Sequence, residues 1–194
     1  MKKALIAVLI LLLASPVVMA KTIEGVDVPE TIILDGQNLV LNGAGVRNKK
    51  VVFINIDVYV AGLYLQSQTS DAQVIIDAEA PMAIRLYMTT GMASKEKMID
   101  AWNEGFESVT GGNTEPLQEK IEKFNAMFNK DPEEGDMYEI AYIPGTGITV
   151  AMNEEIQGDP IAGLEFKKAV FGIWLGKNLE DKYLKALKSG LLGK

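Results

Sequence analysis

The stretch from Val51 to Leu65 constrains the fold more than any other part of this chain. It contains no proline and is rich in β-branched and aromatic residues, which suit a pleated surface. Its even positions, Val52, Ile54, Ile56, Val58, Val60, Gly62 and Tyr64, make an almost wholly apolar face. Its odd positions place Asn55, Asp57 and Tyr59 between apolar ends. A period of two predicts a strand over 51–65, about 50 Å long at the usual rise. A strand of that length buries a face only as part of a broad sheet. Leu39-Val40-Leu41 reads as the strand before it, with Asn42-Gly43-Ala44-Gly45 as a connecting glycine turn. A further strand is predicted over Ala83 to Thr90, where Ile84, Leu86 and Met88 alternate with Arg85, Tyr87 and Thr89.

Helical spacing follows. Ser94 is placed to cap a helix carrying Met98, Ile99, Trp102, Phe106 and Val109 three and four residues apart. Thr114 is placed to cap the next, with Pro116 in its first turn and Leu117, Ile121, Phe124 and Phe128 on one face. Two strands, about Asp136–Ile143 and Ile148–Asn153, meet at the hairpin signal Pro144-Gly145-Thr146-Gly147, and a short one is expected near Ile156. The chain then turns helical through Phe166, Ala169, Val170, Ile173 and Trp174, and again through Tyr183, Leu184, Leu187 and Leu191. The order strands, helices, strands, helices predicts an α+β fold: an antiparallel sheet covered by helices.

Residues 1–20 read as a secretory signal peptide. Lys2 and Lys3 precede an 11-residue apolar run from Ala4 to Ala14, and small residues end at Ala20. The run is shorter than the roughly 20 residues a membrane-spanning helix needs. Cleavage after Ala20 leaves one domain over 21–194, expected in the periplasm or medium, without a stable membrane anchor. Losing the two lysines moves the net charge from −7 to −9.

Composition closes several routes. With no cysteine or histidine in 194 residues, there is no disulfide framework, thiol nucleophile, zinc finger or Ser-His-Asp triad. Neither a cofactor nor a metal site is expected. Nineteen basic against 26 acidic residues argue against a nucleic-acid partner. Only Arg47 and Arg85 are arginines, against 17 lysines. A guanidinium fork grips a carboxylate or enolate through two parallel hydrogen bonds, which makes these two positions the first candidates for a site. Arg47 follows the glycine segment, and Arg85 shares a strand face with Tyr87.

Several segments together resemble the chalcone isomerase-like family. They are Leu41-Asn42-Gly43-Ala44-Gly45-Val46-Arg47, then Phe53, then Val58-Tyr59-Val60-Ala61-Gly62-Leu63-Tyr64-Leu65. Ile121-Glu122-Lys123-Phe124, the Tyr142-to-Val150 hairpin and Ala169-Val170-Phe171-Gly172-Ile173-Trp174-Leu175-Gly176 match in the same order. The resemblance spans most of residues 21–194 and is strongest to the exported bacterial branch. It implies an open-faced β-sandwich: a large antiparallel sheet, a layer of helices and a ligand cleft between them.

The resemblance also implies two activities to weigh. The plant enzymes of the family cyclise a chalcone by intramolecular Michael addition, with an arginine holding the developing charge. That arginine matches Arg47. The enzymes' strand threonine matches Tyr59, their helix tyrosine and asparagine match Ser94 and Ala101, and their late-helix polar residue matches Ile173. A sister branch binds fatty acids, with an arginine and a strand tyrosine on the carboxylate; Arg47 and Tyr59 resemble that pair. The leading expectation is therefore non-catalytic binding of a small amphipathic ligand, a fatty acid or polyphenol-like molecule. Arg47 and Tyr59 would grip the head with Arg85 and Tyr87 as helpers, and Trp102, Phe106, Phe124 and Met127 would line the tail. The alternative is an isomerase acting on a chalcone-like enone, with Arg47 as its electrostatic stabiliser.

Overall fold

The computed structural model describes residues 20–194, so the predicted leader lies outside the described residues except for Ala20. Seven strands form one antiparallel sheet in chain order: β3 (Thr31–Leu34), β4 (Gln37–Val51), β5 (Ile54–Leu65), β6 (Met82–Met88), β7 (Met137–Ile143), β8 (Gly147–Met152) and β9 (Glu155–Ile156). A separate hairpin, β1 (Ala20–Ile23) with β2 (Val26–Pro29), precedes them. The helices are α1 (Ala72–Asp77), α2 (Lys95–Thr110), α3 (Gln118–Ala126), α4 (Leu164–Leu175) and α5 (Lys182–Leu191). The α+β expectation holds.

Alternation along the strands makes two cores. Ala61, Leu63, Ile84, Leu86 and Ile140 face the helices and pack against Trp102, Phe106, Phe124, Phe128, Phe166 and Trp174. Burying each such aromatic ring contributes on the order of 2–3 kcal/mol, so this layer dominates the stability of the domain. The opposite face is covered more thinly. There Val60, Tyr64 and Ala83 pack with Val28, Ile32 and Leu39, and Tyr64 Oη donates to the Pro29 carbonyl at 3.0 Å. Lys167 on α4 is fully buried and donates to the carbonyls of Ile75, Ile76 and Ala78 at 2.7–2.8 Å, fastening α4 to the end of α1. Burial pushes its pKa down to about 8, opposed by Asp77, so it keeps its proton at neutral pH.

Three sequence expectations change here. The strand predicted over 51–65 starts at Ile54 instead, because Val52 and Phe53 form the turn between β4 and β5. Val52 takes φ 55°, a region β-branched residues enter only at a cost. The segment Asn42–Gly45 is no turn but the middle of β4. Its glycines supply space for α5: a Cβ on Gly43 would come within 2.2 Å of the Gly190 carbonyl oxygen. A Cβ on Gly190 would meet the Ala44 carbonyl oxygen at 2.7 Å. Strand and helix backbones therefore touch, and the bulged, buried Asn42 joins them by donating to the Leu191 carbonyl at 2.7 Å. Finally, Ser94 caps α2 by accepting from Lys97 N–H, whereas Thr114 makes no side-chain cap and a single 3-10 turn, Glu115–Leu117, precedes α3.

A second irregularity builds the site. Arg47 pairs with Tyr59, but the next residue, Asn48, pairs with Asp57, so β5 carries one extra residue at Val58. A bulge of this kind shifts the alternation beyond it. Ile56 and Val58 consequently reach the same space as Tyr59, although strict period two put them on the other face.

Candidate ligand cleft

Gly43 and Gly45 leave the helix-facing side of β4 bare, and α5 fills that room. Arg47 is the first long side chain beyond α5, and it stands beside Tyr59 across the strand pair. The start of α5 meets it there. Asp181 caps α5 by accepting from Tyr183 N–H at 2.7 Å, and its other oxygen lies 2.8 Å from Arg47 Nη2. Arg47 Nη1 donates to the Asn48 carbonyl at 2.8 Å. Burial works to raise the Asp181 pKa, but the Tyr183 amide and the guanidinium hold it below the usual aspartate value, so its carboxylate is ionised at neutral pH.

Tyr59 is buried, and its hydroxyl accepts from Trp174 Nε1 at 3.0 Å. Burial pushes its pKa up, while Arg47 and Trp174 pull the other way; the net direction is upward. The phenol is therefore neutral at physiological pH. One lone pair is engaged by Trp174, and its O–H is a donor beside a cation.

Two clefts meet at Arg47, Tyr59, Ala101 and Trp102. The first, about 300 Å³, lies between the outer end of β4–β5 and the first half of α2. Its walls are Ile56, Val58, Met92, Ala93, Met98 and Trp102, its cations are Arg47, Lys49 and Lys97, and no carboxylate among the described residues lines it. The second, about 510 Å³, runs under the loop before α5 and carries Glu104, Glu107, Glu180 and Asp181. An apolar channel ending in cations suits an amphipathic anion; the acidic neighbour repels one.

Two of the four predicted site residues meet in this cleft. Arg85 and Tyr87 are a correction: they lie on the opposite face of the sheet. Met88 opposes Tyr59, so period two sends Arg85 and Tyr87 to the other side with Ala83. There Arg85 pairs with its cross-strand neighbour Glu139 at 2.8 Å and lies 5.7 Å from the centre of the Tyr64 ring. The buried Tyr87 hydroxyl has no hydrogen-bond partner among the described residues. Of the expected tail residues only Trp102 lines the cleft; Phe106, Phe124 and Met127 belong to the aromatic core.

The positions matched to the enzymes' polar groups hold little that could act on an enone. The Ser94 oxygen is engaged in capping α2, Ala101 offers a methyl group to the cleft wall, and Ile173 is apolar. Reading the sequence also missed Lys49, Lys97 and Asp181. Asp181 carried a signal, an aspartate just before an amphipathic helix, but nothing in the sequence connects it to Arg47.

Comparison with known proteins agrees with this architecture. The profile of the family described as chalcone isomerase-like matches residues 20–193. Among solved structures, a crystal structure of a fatty-acid binding protein from Arabidopsis thaliana superposes with a TM-score of 0.62 at 16% sequence identity. The match covers 85% of this chain and 100% of that one, which shows a shared fold. A search of curated proteins gives no match.

Proposed function

From the premise that the chain belongs to the chalcone isomerase-like family, we propose that it is a non-catalytic binding protein for a fatty acid or similar amphipathic carboxylate. One observation carries this reading: among the described residues, the cleft beside Arg47 is walled by apolar side chains, ends in three cations and has no carboxylate in its lining. Arg47 and the Tyr59 O–H donate to the carboxylate, and charge assistance strengthens the first of these bonds. The tail lies along Ile56, Val58, Met98 and Trp102. The similar fold of a fatty-acid binding protein supports the same ligand class. Apolar and capping residues at the Ser94, Ala101 and Ile173 positions favour binding over cyclisation. We read the amino-terminal segment as a cleaved leader, and hence the protein as exported.

The test is lipid extraction and native mass spectrometry of the purified protein, then titration of delipidated protein with a fatty acid and its methyl ester. Trp102 in the cleft wall serves as the fluorescent reporter. The acid is expected to bind at least about tenfold more tightly than the ester, as loss of a charged hydrogen bond implies. Arg47→Ala is expected to lose copurifying lipid. A delipidated protein with no affinity for any fatty acid overturns the proposal, as does measurable chalcone cyclisation above the buffer rate.

A further inference from the structure

The tip of the β4–β5 hairpin departs from the rest of the surface. Val52, Phe53 and Ile54 are 76%, 90% and 69% exposed, and they are consecutive. Met92, 59% exposed, belongs to the wall of the Arg47 cleft. The other large exposed apolar residues among the described ones, Ile33, Val74 and Ile156, are widely separated in the chain, as is ordinary for a soluble surface. Three adjacent ones at a hairpin end are not ordinary.

The charges nearby have a sign. Between Arg47 and Ile56 the chain carries Arg47, Lys49 and Lys50 and no acidic residue, although the whole protein has a net charge of −7. Lys97 adds a further cation on the α2 side of the cleft. An apolar, aromatic tip preceded by lysines on β4, on a protein of opposite overall charge, complements a surface with negative headgroups over hydrocarbon. Phenylalanine, valine and isoleucine side chains enter the acyl boundary while lysine ammonium groups stay among the headgroups. No described helix is long and apolar enough to cross a membrane, and the contact proposed for the tip is a peripheral one.

Position gives the patch a purpose. Lys49 and Ile56, on the two strands that carry the tip, both line the cleft. We propose that the Val52–Ile54 tip seats the mouth of the Arg47 cleft on an anionic lipid bilayer, so that an amphipathic acid passes between bilayer and cleft without crossing bulk water. The docking stands on the tip alone; the transfer rests on the binding function proposed above.

Flotation with vesicles of phosphatidylglycerol mixed with phosphatidylcholine, and with phosphatidylcholine alone, tests the docking. Wild type is expected to float with the anionic vesicles and to release as salt rises. Phe53→Asp is expected to weaken flotation at least about tenfold, the effect of losing one buried aromatic ring. Lys50→Glu is expected to weaken it on anionic vesicles only. Variants and wild type are compared in the same background, so the apolar amino-terminal segment contributes equally to each. Neither Phe53 nor Lys50 lines the cleft, so both variants should bind fatty acid in solution as wild type does. Equal flotation of wild type and Phe53→Asp overturns the docking. So does a concentration-dependent dimer that Phe53→Asp dissolves while wild type ignores vesicles. Flotation without fatty-acid affinity in solution overturns the ligand reading and leaves the docking standing.

Discussion

The two arginines make the same contact and do different things. Arg47 reaches Asp181 at 2.8 Å, and Arg85 reaches Glu139 at 2.8 Å. Both are partly buried, both sit on interior strands of the sheet, and each has a tyrosine in its strand environment. Arg85 is paired with the residue directly opposite on β7, on the sheet face that the β1–β2 hairpin covers. Its partner is set by sheet register, and no cleft adjoins it among those described above. Arg47 is paired with the cap of a helix that arrives from the far end of the chain, and it borders two clefts. The lesson is that an ion pair at a given distance says nothing about function until its surroundings are known. Arg85 ties β6 to β7; Arg47 stands where, on the function proposed above, a ligand carboxylate replaces Asp181.

The strongest way to break this contrast is through α5, which brings Asp181 to Arg47. Gly43→Ala drives a methyl group into the Gly190 carbonyl. It is expected to lower stability by about 3 kcal/mol or more, read by denaturant unfolding, because backbone rather than a flexible side chain must move. A near-neutral result would mean that α5 does not rest on β4 as described. The arginines themselves come next. Arg47→Ala should weaken fatty-acid binding about tenfold or more, the scale of a charged hydrogen bond. Arg85→Ala should leave that affinity unchanged and instead lower stability by about 1–2 kcal/mol, since it strands the half-buried Glu139 carboxylate. Calorimetric titration and thermal melts of both variants separate the two roles; equal loss of affinity would erase the distinction.

The mildest change is the most discriminating. Asp181→Asn keeps an N-cap acceptor for Tyr183 while removing the charge that competes for Arg47. Fatty-acid affinity is expected to rise about fivefold, the scale of a partly exposed ion pair. An unchanged or lower affinity would show that Asp181 orients Arg47 instead of occupying it.

Much of the fold was legible in the residues. Alternation marked the later strands, and three- and four-residue spacing marked α2, α4 and α5. The missed elements, β1 to β3 and α1, are short: four residues for each strand and six for the helix. Segments of that length show barely one period of any pattern, and their stability comes from what they pack on. The glycines of β4 misled for a different reason. A glycine run signals a turn when conformational freedom is needed, but the same run is needed where two backbones touch, and the residue alone does not say which.

The site divides along the same line. Sequence alone determined that the chain is α+β, that it has two arginines among many lysines, and that Arg47 and Tyr59 are the pair to watch. The first two of these rest on composition and local period, which are properties of neighbouring residues; the third rests on the family resemblance. Only the tertiary structure decided that Arg85 and Tyr87 face away, that a bulge at Val58 moves Ile56 and Val58 into the cleft, and that Asp181 lies on Arg47. Each of these depends on registers and packing between segments up to 134 residues apart, from Arg47 to Asp181. A one-residue shift in pairing reverses which face a side chain takes, so no local pattern could have carried that information.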